Sequence, residues 1–406
     1  MSILSGKNIL LGVTGSIAVY KAIDLASRLT QAGANVEVIM TSAAAKFVSP
    51  LAFKSVTGKG VYKEEDLWGG EAHVLHVGLG HGADLLVIAP CTANTIAKIA
   101  YGLADNLLTI TALAAQCPIL IAPAMDAGMY DKPATAANVA TLMERGVLFA
   151  GPEEGRMASG LVGKGRFMEP NKLMGHIRHA LGMNGPLKGK KIVVTAGGSR
   201  EAIDPVRYIS NRSSGKQGYA IAQAAVDAGA TVTLITHPTG IPEPENMLVV
   251  QVETAAEMLA EVEKATREGA HGLIMAAAVA DFTPVNVMDQ KIKKRDGFGQ
   301  VQLTPTEDIL ARIAVLRPTL PNLKAVIGFA AESQNLLENA REKLARKKLD
   351  LVVANDITAS DAGFGVDDNR VNLLFPDGIL DSLPLMSKEQ VAETVVQQAI
   401  HLILKK

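Results

Sequence analysis

One arrangement occurs twice in this chain and sets its architecture: an apolar run, a glycine turn, an amphipathic stretch and a second β-branched run. In the first copy, Lys7 to Val13 leads through the turn at Gly15 into Ala18 to Gln31, then past Gly33 to Asn35 to Met40. In the second, Lys191 to Thr195 leads through Gly197 and Gly198 to Lys216 to Ala228, and on to Thr231 to Ile235. The segments AGANVEVIM from Ala32 and AGATVTLIT from Ala228 end the two copies. Strand, helix and strand in this order build a parallel sheet covered by helices on both faces. A chain of 406 residues also exceeds what one hydrophobic core supports, so two α/β domains are expected.

Further strands are expected at Leu85 to Ala89, Pro118 to Ala122 and Val147 to Ala150, and helices near Asn94 to Ala104, Leu107 to Ala115 and Ala134 to Arg145. The Gly-, Pro- and Lys-containing stretch after Gly182 reads as a linker, giving domains at 1–183 and 191–406 joined by 184–190. Forty basic against 41 acidic side chains leave a formal net charge of -1, so no global field attracts nucleic acid or an anionic membrane. Phosphate binding must then be local. No apolar run approaches the roughly 20 residues that span a bilayer, and the N-terminal residues lack a secretory h-region, so a cytoplasmic protein is expected. Cys91 and Cys117 have no metal-ligand spacing and read as reduced structural thiols.

A glycine turn entering a helix offers backbone N–H groups at the positive end of the helix dipole, which makes Gly15 and Ser16 candidate phosphate ligands. The pattern is not G-x-G-x-x-G, and an ordinary strand-to-helix turn fits it equally well. Thr41 and Ser42 follow the second strand, where a switch-point crevice would bring them to the same anion. The donor-rich stretch from Gly197 to Ala225 suggests a P-loop but fails its pattern, because Ser210 stands for the first glycine and Gln217 for the final hydroxyl residue.

Four segments of the first half, GVTGSIAVYKA, HVLHVGL with His76, APCTANTIAKIAYGLADNLLT and APAMDAGMY, together resemble the flavin-containing cysteine decarboxylases. In order and spacing they are similar to the decarboxylase half of the bifunctional phosphopantothenoylcysteine decarboxylase/phosphopantothenate–cysteine ligase family. The resemblance implies a flavodoxin-like/Rossmann-like flavoprotein domain holding FMN noncovalently. The phosphate would lie near Gly15, Ser16 and Ser42, and the ring near Thr92, Asn94, Ala124 and Met125. His76 matches the active-site base, and imidazole suits proton transfer near neutral pH. His73 and His81 have no counterpart and receive no role. The resemblance implies that the flavin oxidises the substrate thiol so that carboxyl loss has an electron sink.

Two departures stand out. The usual PAMN asparagine is Asp126, which either repels a substrate carboxylate or stays protonated beside it. The flap cysteine of ACGDxGxGR is Ser159 in GRMASGLVGKGR, and a hydroxyl is a far poorer acid than a thiol. Arg166 in the same segment is implied to meet phosphate or carboxylate. Both Asp126 and Ser159 are kept as catalytic candidates.

In the second half, DPVRYISNRSSGKQG closely resembles the ligase signature of the same family, followed in family order by AAAVADF, KIKK, GFAAES and AREKLARKKLDLVVAND. The resemblance spans nearly the whole chain and implies a Rossmann-like ligase domain that activates 4'-phosphopantothenate with CTP as an acyl-cytidylate. L-cysteine then displaces CMP, and the product 4'-phosphopantothenoylcysteine feeds the decarboxylase. By position, Asn211 would hold the acyl-cytidylate and Arg207 the phosphorylated pantothenate. Contacts with CTP are implied for Met275, Ala276, Ala277, Asp281, Lys291, Glu307, Asp308, Ile309, Leu310, Phe329, Lys343 and Lys347, with Mg2+ at Asp281. Glu307 departs from a proline common in relatives. Lys291 is implied as catalytic, and KIKK is expected to form a lid. Lys343 and Lys347, four residues apart, share a helical face, although the same stretch also fits a solvated surface. Family members form decarboxylase trimers and ligase dimers, so a homo-oligomer is expected. Two rival readings stay open: another flavoenzyme, and a regulatory flavin-binding protein whose decarboxylase half has lost activity.

Overall fold

The computed structural model describes residues 2–68, 74–293, 300–332, 334–356 and 366–405. Its contacts fall into two units, Met1–Gly182 and Met183–Lys406. His73, Lys294 of KIKK and Ser333 of GFAAES lie outside the described residues.

In the first unit the opening repeat becomes β1 (Asn8–Val13), α1 (Val19–Gln31) and β2 (Asn35–Met40). Val19, Ala22, Leu25, Ala26 and Leu29 form the buried stripe of α1 at three- and four-residue spacing. The repeated Ala-Gly-Ala has a shared physical cause. Gly33 adopts φ 89°, its N–H donates to Thr30 O (3.0 Å), and Ala34 N–H donates to Leu29 O (3.0 Å). Gly229 adopts φ 91°, with Gly229 N–H on Val226 O (2.9 Å) and Ala230 N–H on Ala225 O (3.0 Å). Each is a Schellman cap that satisfies the last helical carbonyls and turns the chain into the next strand.

Val61–Tyr62 (β3), Leu85–Cys91 (β4), Ile119–Pro123 (β5) and Leu148–Phe149 (β6) complete a parallel sheet in the order β3-β2-β1-β4-β5-β6. This is the doubly wound order whose reversal between β1 and β4 opens a crevice beyond the strand ends. Leu10, Leu86 and Ile88 face one apolar cluster, and Leu11, Val87 and Ala89 the other. Both faces are therefore covered, and β4 is buried along its whole length. The helix expected to reach Ala104 is Ala93–Tyr101, because Gly102 (φ 69°) caps it in the left-handed region. A hairpin of Glu153–Arg156 and Val162–Arg166 follows the sheet.

The second unit repeats the plan. Its sheet runs Leu248–Gln251, Thr231–Thr236, Lys191–Ala196, Gly272–Met275, Ala325–Glu332 and Leu351–Asp356, all parallel, then Val371–Leu374 and Leu380–Ser382, both antiparallel. The Lys216–Asp227 helix lies so close to the first strand that a Cβ at Gly218 would fall 2.5 Å from Ala196 Cβ. Within 184–190, Leu187 is buried in this unit's core and its N–H donates to Ala228 O (2.8 Å). Among the described residues no helix is long and apolar enough to cross a membrane.

Candidate active sites

The first crevice opens where β1 and β4 diverge. Thr14 ties their ends together: its hydroxyl donates to Pro90 O (2.8 Å) and accepts from Thr92 N–H (3.0 Å). Gly15 lies against the loop after β2, where a Cβ would come within 2.5 Å of Ala43 Cβ. The resulting cleft, about 700 Å³, is lined by Gly15, Ser16, Ser42, Thr92, Asn94, Ala124 and Met125, together with Thr14, Lys98 and Met129. That volume lies within the range of small-molecule and cofactor sites. The Gly15 turn at the start of α1, with two nearby hydroxyls, suits a phosphate. The Ala124–Met125 wall suits a flat apolar ring. Thr14, Lys98 and Met129 lie within the quoted segments of the first half, although no single residue pattern singled them out there.

His76, in the first turn of the Leu75–Gly82 helix, does not line this cleft, and its Nδ1 is buried without a partner. Asp126 caps the short Ala127–Tyr130 helix, its Oδ1 accepting from Gly128 N–H (3.0 Å). Its Oδ2 accepts from the Ser159 hydroxyl (2.6 Å). Each Asp126 oxygen thus has one partner, its own turn on one side and the flap on the other. Arg166 pairs with Glu169 (2.5 Å), which also binds Lys21 (2.7 Å). Cys91 is fully buried, and burial pushes its thiol well up.

The second cleft, about 590 Å³, opens at the equivalent place. Thr195, at the end of its first strand, accepts from Ala277 N–H (3.1 Å), and Ser199 accepts from Ala280 N–H (3.0 Å), which shapes the turn from Met275 to Asp281. Asn211 Nδ2 donates to the Ala278 and Val279 carbonyls (3.3 and 3.0 Å), so its amide donors hold this turn. Asn211, Met275, Ala276, Ala277, Asp281, Glu307, Asp308, Ile309, Leu310, Phe329, Lys343 and Lys347 all line the cleft. Lys343 Nζ donates to Phe329 O (2.6 Å), and burial pushes its pKa down to about 8, with Lys347 adding repulsion. Lys347 pairs with Asp308 (2.8 Å). Burial opposes ionisation of Asp308, yet Lys347 holds its carboxyl below the ordinary value.

Arg207 and Lys291 are not among the cleft's lining residues. The Arg207 guanidinium is engaged by Asp204, and Lys291 is exposed. The cleft gains Lys216, Thr306, Asn355, Asn369 and Lys388. Lys216 belongs to the SSGKQG run and Asn355 to the end of AREKLARKKLDLVVAND, both displayed in the sequence, whereas Asn369 arrives from a distant strand and had no local signal. Among the described residues no group of three or more His, Cys, Asp or Glu is arranged to hold a metal. A single carboxylate such as Asp281 beside triphosphate oxygens is nonetheless a donor set that Mg2+ accepts.

Both units match known families. Residues 2–182 match the family described as Flavoprotein, and residues 187–402 match the DNA/pantothenate metabolism flavoprotein C-terminal domain. The chain is 45% identical to the coenzyme A biosynthesis bifunctional protein CoaBC of Bacillus subtilis (strain 168), over 97% of both chains. It is 41% identical to the protein of that name from Escherichia coli (strain K12), over 98% of this chain and 97% of the other. A crystal structure of the C-terminal domain of CoaBC aligns at 36% identity and a TM-score of 0.46, covering 55% of this chain and 100% of that one. The chain therefore belongs to the family of coenzyme A biosynthesis bifunctional proteins, and is a bifunctional ligase and decarboxylase with a flavoprotein first unit.

Proposed function

We propose that the second cleft joins L-cysteine to 4'-phosphopantothenate at the expense of CTP, and that the first holds FMN and decarboxylates the resulting 4'-phosphopantothenoylcysteine to 4'-phosphopantetheine. The observation that carries this reading is the convergence on one cleft of Asn211, Asp281 and the Lys343–Lys347 pair, which come from three separate parts of the second unit.

In the ligase cleft, Lys343 and Lys347 neutralise triphosphate charge, and Asp281 shares Mg2+ with phosphate oxygens. The Met275–Ala277 backbone, Glu307 to Leu310 and Phe329 surround the nucleotide. Activation as an acyl-cytidylate replaces hydroxide, a poor leaving group, with CMP. Asn211 keeps the turn carrying Ala278 and Val279 in place beside the reacting carbonyl, and Lys291 reaches the site from its exposed segment. Arg207 steadies the pantothenate phosphate only by exchanging its Asp204 contact.

In the decarboxylase cleft, the Gly15 N–H and the Ser16 and Ser42 hydroxyls hold the FMN phosphate, the Ser16 N–H being engaged by Thr14 O (2.9 Å), while Thr92, Asn94, Ala124 and Met125 border the ring. When bound, FMN supplies reversible two-electron oxidation of the substrate thiol, which creates the electron sink for carboxyl loss. His76 moves the proton as base. Decarboxylase trimers would place the flavin between subunits, which accounts for a His76 outside its own chain's cleft; ligase halves would pair as dimers. The balanced net charge and the lack of a membrane-crossing helix among the described residues support a cytoplasmic enzyme free of nucleic acid.

The purified protein is expected to show flavin absorbance and to release carbon dioxide from 4'-phosphopantothenoylcysteine. Bound flavin without carbon dioxide release would favour the regulatory alternative.

A further inference from the structure

Replacing a carboxylate by hydrogen consumes one proton per turnover, so some acid must deliver it. A serine hydroxyl alone is a poor donor, because it would leave a high-energy alkoxide. Cys91 does not fill the gap, since it is fully buried and its proton is held there.

The flap hairpin brings Ser159 to a second proton-bearing group. Met125 N–H donates to Gly165 O (3.0 Å), and a Cβ on Gly163 or Gly165 would fall 2.8 Å from Ala127 Cβ or 2.5 Å from Met125 O. The hairpin is thus docked backbone to backbone on the turn that carries Asp126. Gly128 N–H occupies Asp126 Oδ1 (3.0 Å), leaving Oδ2 for the Ser159 hydroxyl at 2.6 Å. Neither residue lines the cleft, but Asp126 directly follows Met125, which does; Ser159 is exposed and Asp126 half-buried, so the pair sits at the edge of the cleft within reach of water.

We propose that Asp126 and Ser159 work as one proton-delivery pair, Ser159 passing its hydroxyl proton to the substrate carbon that has lost carbon dioxide while taking the Asp126 carboxyl proton in exchange. This rests on the decarboxylase reading given above. A substrate carboxylate arriving beside Asp126 puts two like charges together, and such a pair takes up a shared proton. In the delivery step a C–H bond forms with the electron pair of the enethiolate. The Ser159 O–H bond breaks and is remade with the Asp126 proton, and Asp126 is left ionised for reloading from water. No electrons change hands in this step; FMN, when bound, would supply the oxidation that precedes it and the matching reduction that follows. The two departures from the usual asparagine and cysteine are then a single change, in which a thiol donor is exchanged for a carboxyl–hydroxyl relay.

The test uses full-length, flavin-loaded protein with 4'-phosphopantothenoylcysteine, and resolves the products by mass. Ser159→Ala removes one exposed hydroxyl at a hairpin tip. The expected result is a 10²- to 10⁴-fold fall in saturated product, the usual size of a general-acid contribution, with release of an unsaturated enethiol two mass units lighter. Asp126→Asn is expected to give the same shift in product. Ser159→Cys is expected to restore saturated product, and to keep it restored when combined with Asp126→Asn, because a thiol donates unaided. Saturated product formed by Ser159→Ala or Asp126→Asn at the native rate would overturn the relay. Carbon dioxide release by the native protein tests the underlying decarboxylase reading separately.

Discussion

Arg207 Nε donates to Asp204 Oδ2 across 2.9 Å, and this one carboxylate also organises the segment that carries Lys291. Asp204 Oδ2 accepts from Ile292 N–H (3.2 Å), Oδ1 accepts from the Val206 and Arg207 N–H groups (2.8 and 2.9 Å), and Arg207 Nη2 donates to Ile292 O (2.8 Å). Burial opposes ionisation of Asp204, yet the Arg207 guanidinium and these backbone donors outweigh it and hold the carboxyl well below its ordinary range. Arg207 is thereby a clamp between the DPVR turn and the residue next to Lys291.

Asp204→Asn keeps the shape but loses the charge that matches Arg207 and weakens the hold on Ile292. We expect ligation kcat/KM to fall roughly tenfold or more, the size of a lost charge-assisted hydrogen bond. Trypsin should cut faster at Lys291 and Lys293, and decarboxylation should be unchanged. Native cutting rates and native ligation together would show that Asp204 does not order this segment.

Lys343 gives the ligase cleft a pH signature. Its ammonium sits near a pKa of about 8, below the ordinary 10.5, because burial disfavours its charge and Lys347 repels it. In the free protein this destabilisation is present below pH 8, and it is relieved between about 8 and 10.5, where the unfolded chain still holds its proton. A bound triphosphate favours the charged form, so CTP affinity should weaken roughly tenfold or more from pH 7 to pH 9.5. Lys343→Met should abolish that slope, weaken CTP binding and raise Tm at pH 7. Titration calorimetry giving a flat Kd across this range would contradict the expectation.

Gly165→Ala tests the docking of the flap. Its Cβ would sit 2.5 Å from Met125 O and 3.1 Å from Ala127 N, backbone atoms that no side-chain rotation can move aside. Overpacking of this kind costs about 1–3 kcal/mol. The hairpin should detach, Lys164 should become more sensitive to trypsin, and decarboxylation should fall while ligation in the same sample persists. Full decarboxylation by this variant would mean that the hairpin does not need its contact with the Asp126 turn.

Much of the fold was legible because the deciding forces are local. The apolar run of β1, the 3.6-residue stripe of α1 and the Ala-Gly-Ala cap each act within a few residues, and β2 begins and ends as read, at Asn35 and Met40. Strand order was not legible, since β1 lies between β2 and β4 through contacts that periodicity does not encode. The antiparallel strands Val371–Leu374 and Leu380–Ser382 were also missed, because they are short and the second is exposed. At the sites, Gly15, Thr92, Asp281 and Lys343 follow from recognisable segments. The bond from Ser159 to Asp126 does not: it spans 33 residues and exists only because glycines let a hairpin lie on a turn. The engagement of Arg207 by Asp204 was hidden for a different reason, since an arginine in a signature reads as a ligand for anions until its neighbour is seen.

The most direct test of two reactions in one chain is a single reaction mixture of 4'-phosphopantothenate, L-cysteine, CTP and Mg2+, sampled over time by mass spectrometry. The native protein should release pyrophosphate and carry the substrate through to 4'-phosphopantetheine. His76→Asn should release pyrophosphate as before but stop at 4'-phosphopantothenoylcysteine, and Asn211→Asp should slow formation of that intermediate while still decarboxylating it when it is supplied. A native protein that neither consumes CTP nor accumulates either product, or a His76→Asn protein that decarboxylates at the native rate, would contradict the account.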